Sequence, residues 1–384
     1  MPRNIDLNAI LEDLGPKFAK RSADFDAKDA FVAENYQALR DAKVFSAQIP
    51  SEIGGGGAGH GEMCAFLRGL AGYCPATALA LSMHQHLVAA AVANDRAGRP
   101  GRKLLDKVAG AEAILVSTGA NDWLESNGTA ERVEGGFRVT AVKPFASGSP
   151  GGDVLVTSAA YDDPKEGPQV LHFPLPLKAD GVSLLDDWQT FGMRATGSQT
   201  VKLDGVFVPE EAVALKRPRG PFHPAFAVIL TVAMPLVMSV YLGVAEAAAA
   251  IARQRAAKRP GDPVAPFLVG ELENLLTTAQ IAVDDMVRLA NGFDFTPTVE
   301  LAGRVLTRKT IAANAVIATA EKAMEVAGGA GMFRKLGIER LLRDAHGAQF
   351  HPLPEKRQQL FTGRLAMGLD PISGEAREAA RQAA

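Results

Sequence analysis

The chain has 384 residues, with 41 Lys and Arg against 43 Asp and Glu and 47% hydrophobic residues. That length suits two or three domains, and the balance excludes a disordered chain and a dominant basic surface of the kind nucleic acid requires. With Cys64 and Cys74 as the only cysteines, neither a disulfide scaffold nor a four-cysteine zinc site is available.

The opening segment, residues 1–14, lacks an apolar signal core, so a cytoplasmic enzyme is expected. Residues 1–110 read as helical. Apolar positions recur at helical spacing over Ile5–Leu14, at Phe31, Tyr36, Leu39 and Val44, and again from Met63 to Leu70 and from Ala78 to Val92. A glycine-rich break, residues 53–59, separates the two groups. Residues 111–220 read as short strands. Thr129–Val133 and Phe137–Val142 flank Glu134-Gly135-Gly136, a hairpin signal, and period-two alternation follows in Asp153–Ser158, Gln169–Phe173 and Thr200–Val208. Residues 221–384 return to helical texture. One amphipathic face runs from Leu272 to Ala290, and a long helix over Val305–Val326 is stopped by Gly328-Gly329. A last helix covers Glu355–Met367.

The uncharged run Pro224–Ala245 is long enough to cross a bilayer. Pro235 interrupts it, it continues into an Ala-rich helix, and no second span is evident, so a buried bundle helix is the expectation and no membrane span is predicted. Gly54, Gly56 and Gly59 match a dinucleotide fingerprint literally, but the preceding segment is a poor strand, and residues 64–94 hold no acid. A plain turn is the better reading. Walker A, zincin and α/β-hydrolase signatures are absent. His84 and His86 point to different faces of a helix, which argues against a shared metal, and Cys64 has no evident base.

Three segments carry more. They are Lys143-Pro-Phe-Ala-Ser-Gly-Ser149, Phe191-Gly-Met-Arg-Ala-Thr-Gly-Ser198 leading into Val206-Phe-Val-Pro209, and Gly328-Gly-Ala-Gly331 leading into Ile338-Glu-Arg-Leu-Leu-Arg-Asp344. In this order they resemble the acyl-CoA dehydrogenase superfamily of flavoproteins over nearly the whole chain. The resemblance implies an α+β fold: an N-terminal helical domain, a middle antiparallel β domain and a C-terminal four-helix bundle. It also implies a homotetramer with FAD between the β domain and the bundle, although FMN or a reduced flavin would also suit. Val116 and Ser117 match the segment at the flavin pyrimidine edge, Phe145 the packing aromatic, and Ala146 and Ser147 the stretch near flavin N5. Arg259 matches a pyrophosphate arginine, Glu325 stands where a glutamine meets FAD across the dimer, and Gly328 and Gly329 fit the family pattern.

The chemistry departs from that pattern. Removal of an α-proton needs a carboxylate base. Pro352 occupies the usual glutamate position, and Ala233 occupies the alternative one. His351 stands beside the first, as in the flavin-dependent monooxygenase branch, and is the candidate catalytic residue. Three functions follow. The first is an FAD-dependent oxidoreductase acting on the CH–CH bond of an acyl-CoA or related thioester, with an electron-transfer flavoprotein as redox partner. The second is a two-component monooxygenase that uses O2 and reduced flavin from a separate flavin reductase. The third is a non-catalytic flavin-binding or assembly relative.

Overall fold

The computed structural model describes residues 4–118 and 124–377. Five helices come first: α1 (Leu7–Ala27), α2 (Ala33–Asp41), α3 (His60–Tyr73), α4 (Pro75–Arg96) and α5 (Arg102–Ala111). The strands follow as β1 (Leu115–Ser117), β2 (Thr129–Val133), β3 (Gly136–Ala146), β4 (Val154–Asp163), β5 (Gly167–Pro176), β6 (Val182–Leu184), β7 (Gln199–Pro209) and β8 (Leu215–Pro218). The chain then returns to helix in α6 (Pro224–Ala257), α7 (Ala265–Ala290), α8 (Val299–Ala327), α9 (Ile338–Ala345) and α10 (Glu355–Ala366).

The strands form one sheet in the order β6-β7-β3-β2-β4-β5-β8, with β1 alongside β4. Pairing is antiparallel except where β1 runs parallel to β4 and where Thr129 meets Ala160. The expected hairpin is present: Val133 pairs with Gly136, and Gly135 supplies the left-handed turn position at φ +75°. Alternation along β3 and β7 turns Phe137, Val139, Ala141, Val201 and Leu203 into the sheet's own core.

α6 is the axis of the helical core. Every residue from Leu230 to Ala245 is buried, because α3, α4, α7 and α8 all pack against it. Gly243 permits the α3 crossing: a Cβ there would sit 2.1 Å from the Arg68 carbonyl oxygen. Two expectations are corrected here. Pro235 does not interrupt the helix, which runs unbroken through it for 34 residues. Packing on all sides offsets the lost hydrogen bond, and His60 Nε2 donates to the neighbouring Val232 carbonyl at 2.8 Å. A second helix of membrane-spanning length and apolarity also exists, α4, which is alanine-rich rather than charge-free. In both helices 89% of the most apolar stretch is buried against other elements, the surroundings of core helices.

The glycine-rich segment is a turn leading into α3, preceded by a single helical turn at Ser51–Ile53 and by no strand. His84 ties the helices to the sheet. Its Nε2 donates to the Phe45 carbonyl at 2.8 Å, and its Nδ1 accepts from Leu115 N–H at 2.9 Å. Both ring nitrogens are committed, and burial pushes the imidazole down to about 4.

Candidate active site

A cavity of about 560 Å³ opens where the sheet, α4, α6 and the α9–α10 connection meet. The sheet wall is built where β3 ends. Phe145 takes a left-handed backbone conformation, φ +62°, which costs about 1–2 kcal/mol for a residue with a side chain. That twist turns its ring out of the sheet, 52% exposed and edge-on to Trp188 at 5.9 Å. Ser147 follows, its Oγ 2.7 Å from Ser198 Oγ, which in turn lies 2.7 Å from Thr196 Oγ1. Ser117 lines the same wall. Val116 and Ala146 have no exposed surface, pack into the sheet core and do not line the cavity.

The helical wall is one stripe of α6. Phe226, Leu230, Ala233, Val237 and Tyr241 recur at three- and four-residue spacing and so share a face. His86 faces the cavity from α4, with the Ser82 backbone beside its ring. Burial pushes it down to about 4. His84 and His86 therefore do separate work, as their spacing implied. Among the described residues no three His, Cys, Asp or Glu side chains group as metal ligands would. Cys64 has a weak neighbour in His60, at 3.9 Å, but burial raises its thiol to about 12, which leaves it unreactive.

The third wall carries His351. Its Nε2 lies 2.7 Å from the Tyr241 hydroxyl. The ring keeps some surface toward the cavity, yet the protein around it excludes bulk water. Burial pushes it down to about 3, helped by the nearby Lys309 charge. Burial also holds the Tyr241 phenol well above its ordinary value, so both groups are neutral at working pH. The phenol hydrogen has one acceptor among the described residues, His351 Nε2, which places the imidazole proton on Nδ1. Lys309 pins this segment from below. Its Nζ donates to the carbonyls of Leu353 (3.2 Å) and Gln349 (3.4 Å), and burial lowers it to about 8.

Ala233 and Pro352 both face the cavity, and no Asp or Glu lines it among the described residues. Among the described residues Arg343 is the sole Lys or Arg there, and its donors are committed. Nη2 meets Asp26 at 2.6 Å, Nε meets Glu339 at 2.8 Å, and Nη1 meets Asp26 and the Phe191 carbonyl.

The remaining expected residues gather elsewhere. Arg259 Nη2 donates to the Val326 carbonyl at 2.6 Å and pairs with Asp262. Glu325 pairs with Lys322 at 2.5 Å, and Gly328 ends α8 at φ +63° with Gly329 beside it. Arg259, Glu325, Gly328 and Gly329 thus lie together at the shared end of α6 and α8. None lines the cavity that holds Phe145, Ser147 and His351. Sequence reasoning missed Tyr241, His86 and His172 as cavity residues.

The half-exposed ring of Phe145, the serine hydroxyls and the water-shielded apolar wall suit a flat heteroaromatic with polar edges, as in an acyl-CoA dehydrogenase-like flavoprotein. Residues 14–108 match the acyl-CoA dehydrogenase N-terminal domain and residues 236–355 the acyl-CoA dehydrogenase C-terminal domain, together more than half of the chain. The chain belongs to the acyl-CoA dehydrogenase superfamily. A dibenzothiophene monooxygenase of Mycolicibacterium goodii is 25% identical over 91% of each chain. A putative acyl-CoA dehydrogenase, YdbM of Bacillus subtilis (strain 168), is 26% identical over 88% of this chain and 91% of that one. Among solved structures, FMN-bound TdsC from Paenibacillus sp. A11-2 superposes with a TM-score of 0.82 at 19% identity, covering 94% of this chain and 97% of the other.

Proposed function

We propose that this chain is the oxygenase component of a two-component flavin monooxygenase. It would take reduced flavin from a separate reductase and transfer one atom of O2 to a small apolar aromatic or heteroatom substrate. The other oxygen atom leaves as water, and the flavin returns oxidised.

The observation that carries this reading is the wall around His351. Both places where an acyl-CoA dehydrogenase keeps its base face the cavity, as Ala233 and Pro352. What stands there instead is a neutral histidine, hydrogen-bonded to a neutral tyrosine. A base must offer a bare nitrogen to its substrate. His351 is arranged to offer an N–H, which suits stabilising the oxygen being transferred. The committed donors of Arg343 leave the lining poor in groups for a CoA diphosphate. The dibenzothiophene monooxygenase relative and the FMN-bound TdsC structure support the same reading.

Bound flavin would supply the two electrons that activate O2. Phe145 would pack on its ring. Ser147 and Ser117 would meet its polar edges, whereas Val116 and Ala146 are fully covered in the sheet core. Phe145 and the two serines would meet the ring system that FMN and FAD share. FAD would also need Arg259, Glu325, Gly328 and Gly329, and hence a second subunit placing that cluster against this cavity. The acyl-CoA dehydrogenase reading keeps the support of the superfamily and of YdbM.

The test supplies the protein with FMN or FAD, a flavin reductase, NADH and O2, and follows conversion of aromatic sulfur and nitrogen heterocycles. In parallel, flavin-loaded protein is mixed anaerobically with saturated acyl-CoAs. Oxygenated product without bleaching by any acyl-CoA is expected. Bleaching by an acyl-CoA, with no oxygenated product, would overturn the proposal in favour of the dehydrogenase.

A further inference from the structure

His172 of β5 lines the cavity on the sheet wall, opposite Ser158 of β4. Behind it lies Arg217 of β8, 1% exposed. Arg217 Nε is 2.9 Å from His172 Nε2, and its Nη1 reaches the Leu124 carbonyl at 2.8 Å and the Pro218 carbonyl at 3.1 Å. The guanidinium also lies over the Phe226 ring at 4.7 Å. From this arrangement we infer that Arg217 locks His172 as a permanent N–H donor into the cavity. His172 thereby selects substrates that carry a hydrogen-bond acceptor, an oxygen or a ring nitrogen, at that end.

The lock follows from what an arginine can do. Its Nε–H can only donate, and the guanidinium does not lose its proton in a protein. His172 Nε2 must therefore be bare. A neutral imidazole carries one proton, so it sits on Nδ1. A second proton could only go to Nε2, breaking the arginine bond and setting two cations in contact. Among the described residues, the other charged or titratable groups acting on the ring work the same way. Lys143 from β3 and His223 at the head of α6 disfavour added charge, as burial does. The tautomer is thus set by a neighbour and does not depend on pH.

Among the described residues His172 Nδ1 has no hydrogen-bond partner, and it is not one of the sealed, unpartnered polar atoms, so it opens on the cavity. Around it the wall is largely apolar, with Phe226, Ile229 and Leu230 on the facing helix. A bound hydrocarbon would expel water from this N–H and leave it unsatisfied. A ligand with an acceptor would replace that water. This donor belongs to the cavity we read as the oxygenation site, so its role as a substrate selector depends on that reading.

The test uses two tricyclic probes of matched shape, fluorene without an acceptor and 9-fluorenone with a carbonyl. Binding to FMN-saturated protein is measured by calorimetry, without turnover. The wild type is expected to bind 9-fluorenone about fivefold more tightly than fluorene, the weight of one neutral hydrogen bond. His172→Phe should lose that preference and keep its fluorene affinity, and His172→Gln should retain part of it. Independently, ¹⁵N imidazole spectra of the wild type should show His172 protonated on Nδ1 and unchanged between pH 5.5 and 8. Failure of the wild type to bind either probe, equal affinity for both, a preference that survives in His172→Phe, or a ring that titrates would each overturn the inference. Oxygenation enters neither measurement, so the donor and the oxygenase reading can fail separately.

Discussion

Tyr241→Phe removes one oxygen atom from a fully buried side chain of the cavity wall, and its effect can be worked from the geometry. The lost hydroxyl has one partner among the described residues, His351 Nε2 at 2.7 Å. Deleting a buried neutral hydrogen bond costs about 1 kcal/mol net, which lowers the melting temperature by about 2–4 °C in a domain of roughly 200 residues. The same energy biases the imidazole tautomers about fivefold, so its loss frees the proton to move from Nδ1 to Nε2. The ring also loses the contact that fixes its orientation. Coupled turnover should therefore fall by about tenfold, a change of about 1.4 kcal/mol in transition-state stabilisation. Substrate KM should stay within about twofold, because the phenyl ring still fills the wall. The assay counts product formed and hydrogen peroxide released per reduced flavin consumed. Tyr241→Phe should move flux from product to peroxide, as His351→Ala should do more strongly. If His351→Ala uncouples the reaction while Tyr241→Phe couples like the wild type, Tyr241 does not position the histidine.

Two further outcomes follow from the same neighbourhood. A Cβ on Gly347 would lie 2.6 Å from the Tyr241 hydroxyl, so Gly347→Ala should displace the phenol, cost about 1–3 kcal/mol of stability and reproduce the uncoupling. Normal coupling in that variant would show the pair tolerates displacement. Acid should destabilise the fold well before its carboxylates titrate. Burial holds His84 and His86 at about 4 and His172 and His351 at about 3, below the ordinary value of about 6.5. The unfolded chain therefore takes up protons that the native chain refuses, and stability present above about pH 6.5 is lost as pH falls. Asp344, raised to about 6 by burial, opposes this by one proton. These five groups together give about three protons and about 4 kcal/mol per pH unit near pH 5, and His60 and His223, also lowered by burial, act in the same direction. A melting temperature unchanged between pH 7 and 5 would contradict it.

The alternation of helix, strand and helix was legible because each texture has its own period, and the Glu134–Gly136 turn and the Gly328 helix end were placed by residues with few other uses. His351 stood out against Pro352, where a carboxylate was expected. Its partner did not. Tyr241 lies in the uncharged run of α6, where every residue from Leu230 to Ala245 is buried, and nothing local separates it from an ordinary core residue. His172 and Arg217 are 45 positions apart in sequence and meet only through the β5–β8 register, which pairs His172 with Leu215. That pairing depends on strand order, which periodicity does not encode. Arg259, Glu325, Gly328 and Gly329, matched by resemblance to the FAD pyrophosphate and to a contact across the dimer, do not line the cavity of their own chain.

α6 is about 50 Å long at 1.5 Å per residue, and its two halves answer to different demands. The stretch from Phe226 to Tyr241 furnishes the cavity wall. Beyond Gly243 the same helix is riveted by Arg68 to Glu246 and by Arg253 to Glu273, which fasten it to α3 and α7. A change of side chain at a cavity-facing position of the first half alters what the cavity admits and leaves those ion pairs untouched. One rigid rod thus combines a replaceable working end with a permanently mounted shank, and a library aimed at new substrates has a natural boundary at Gly243.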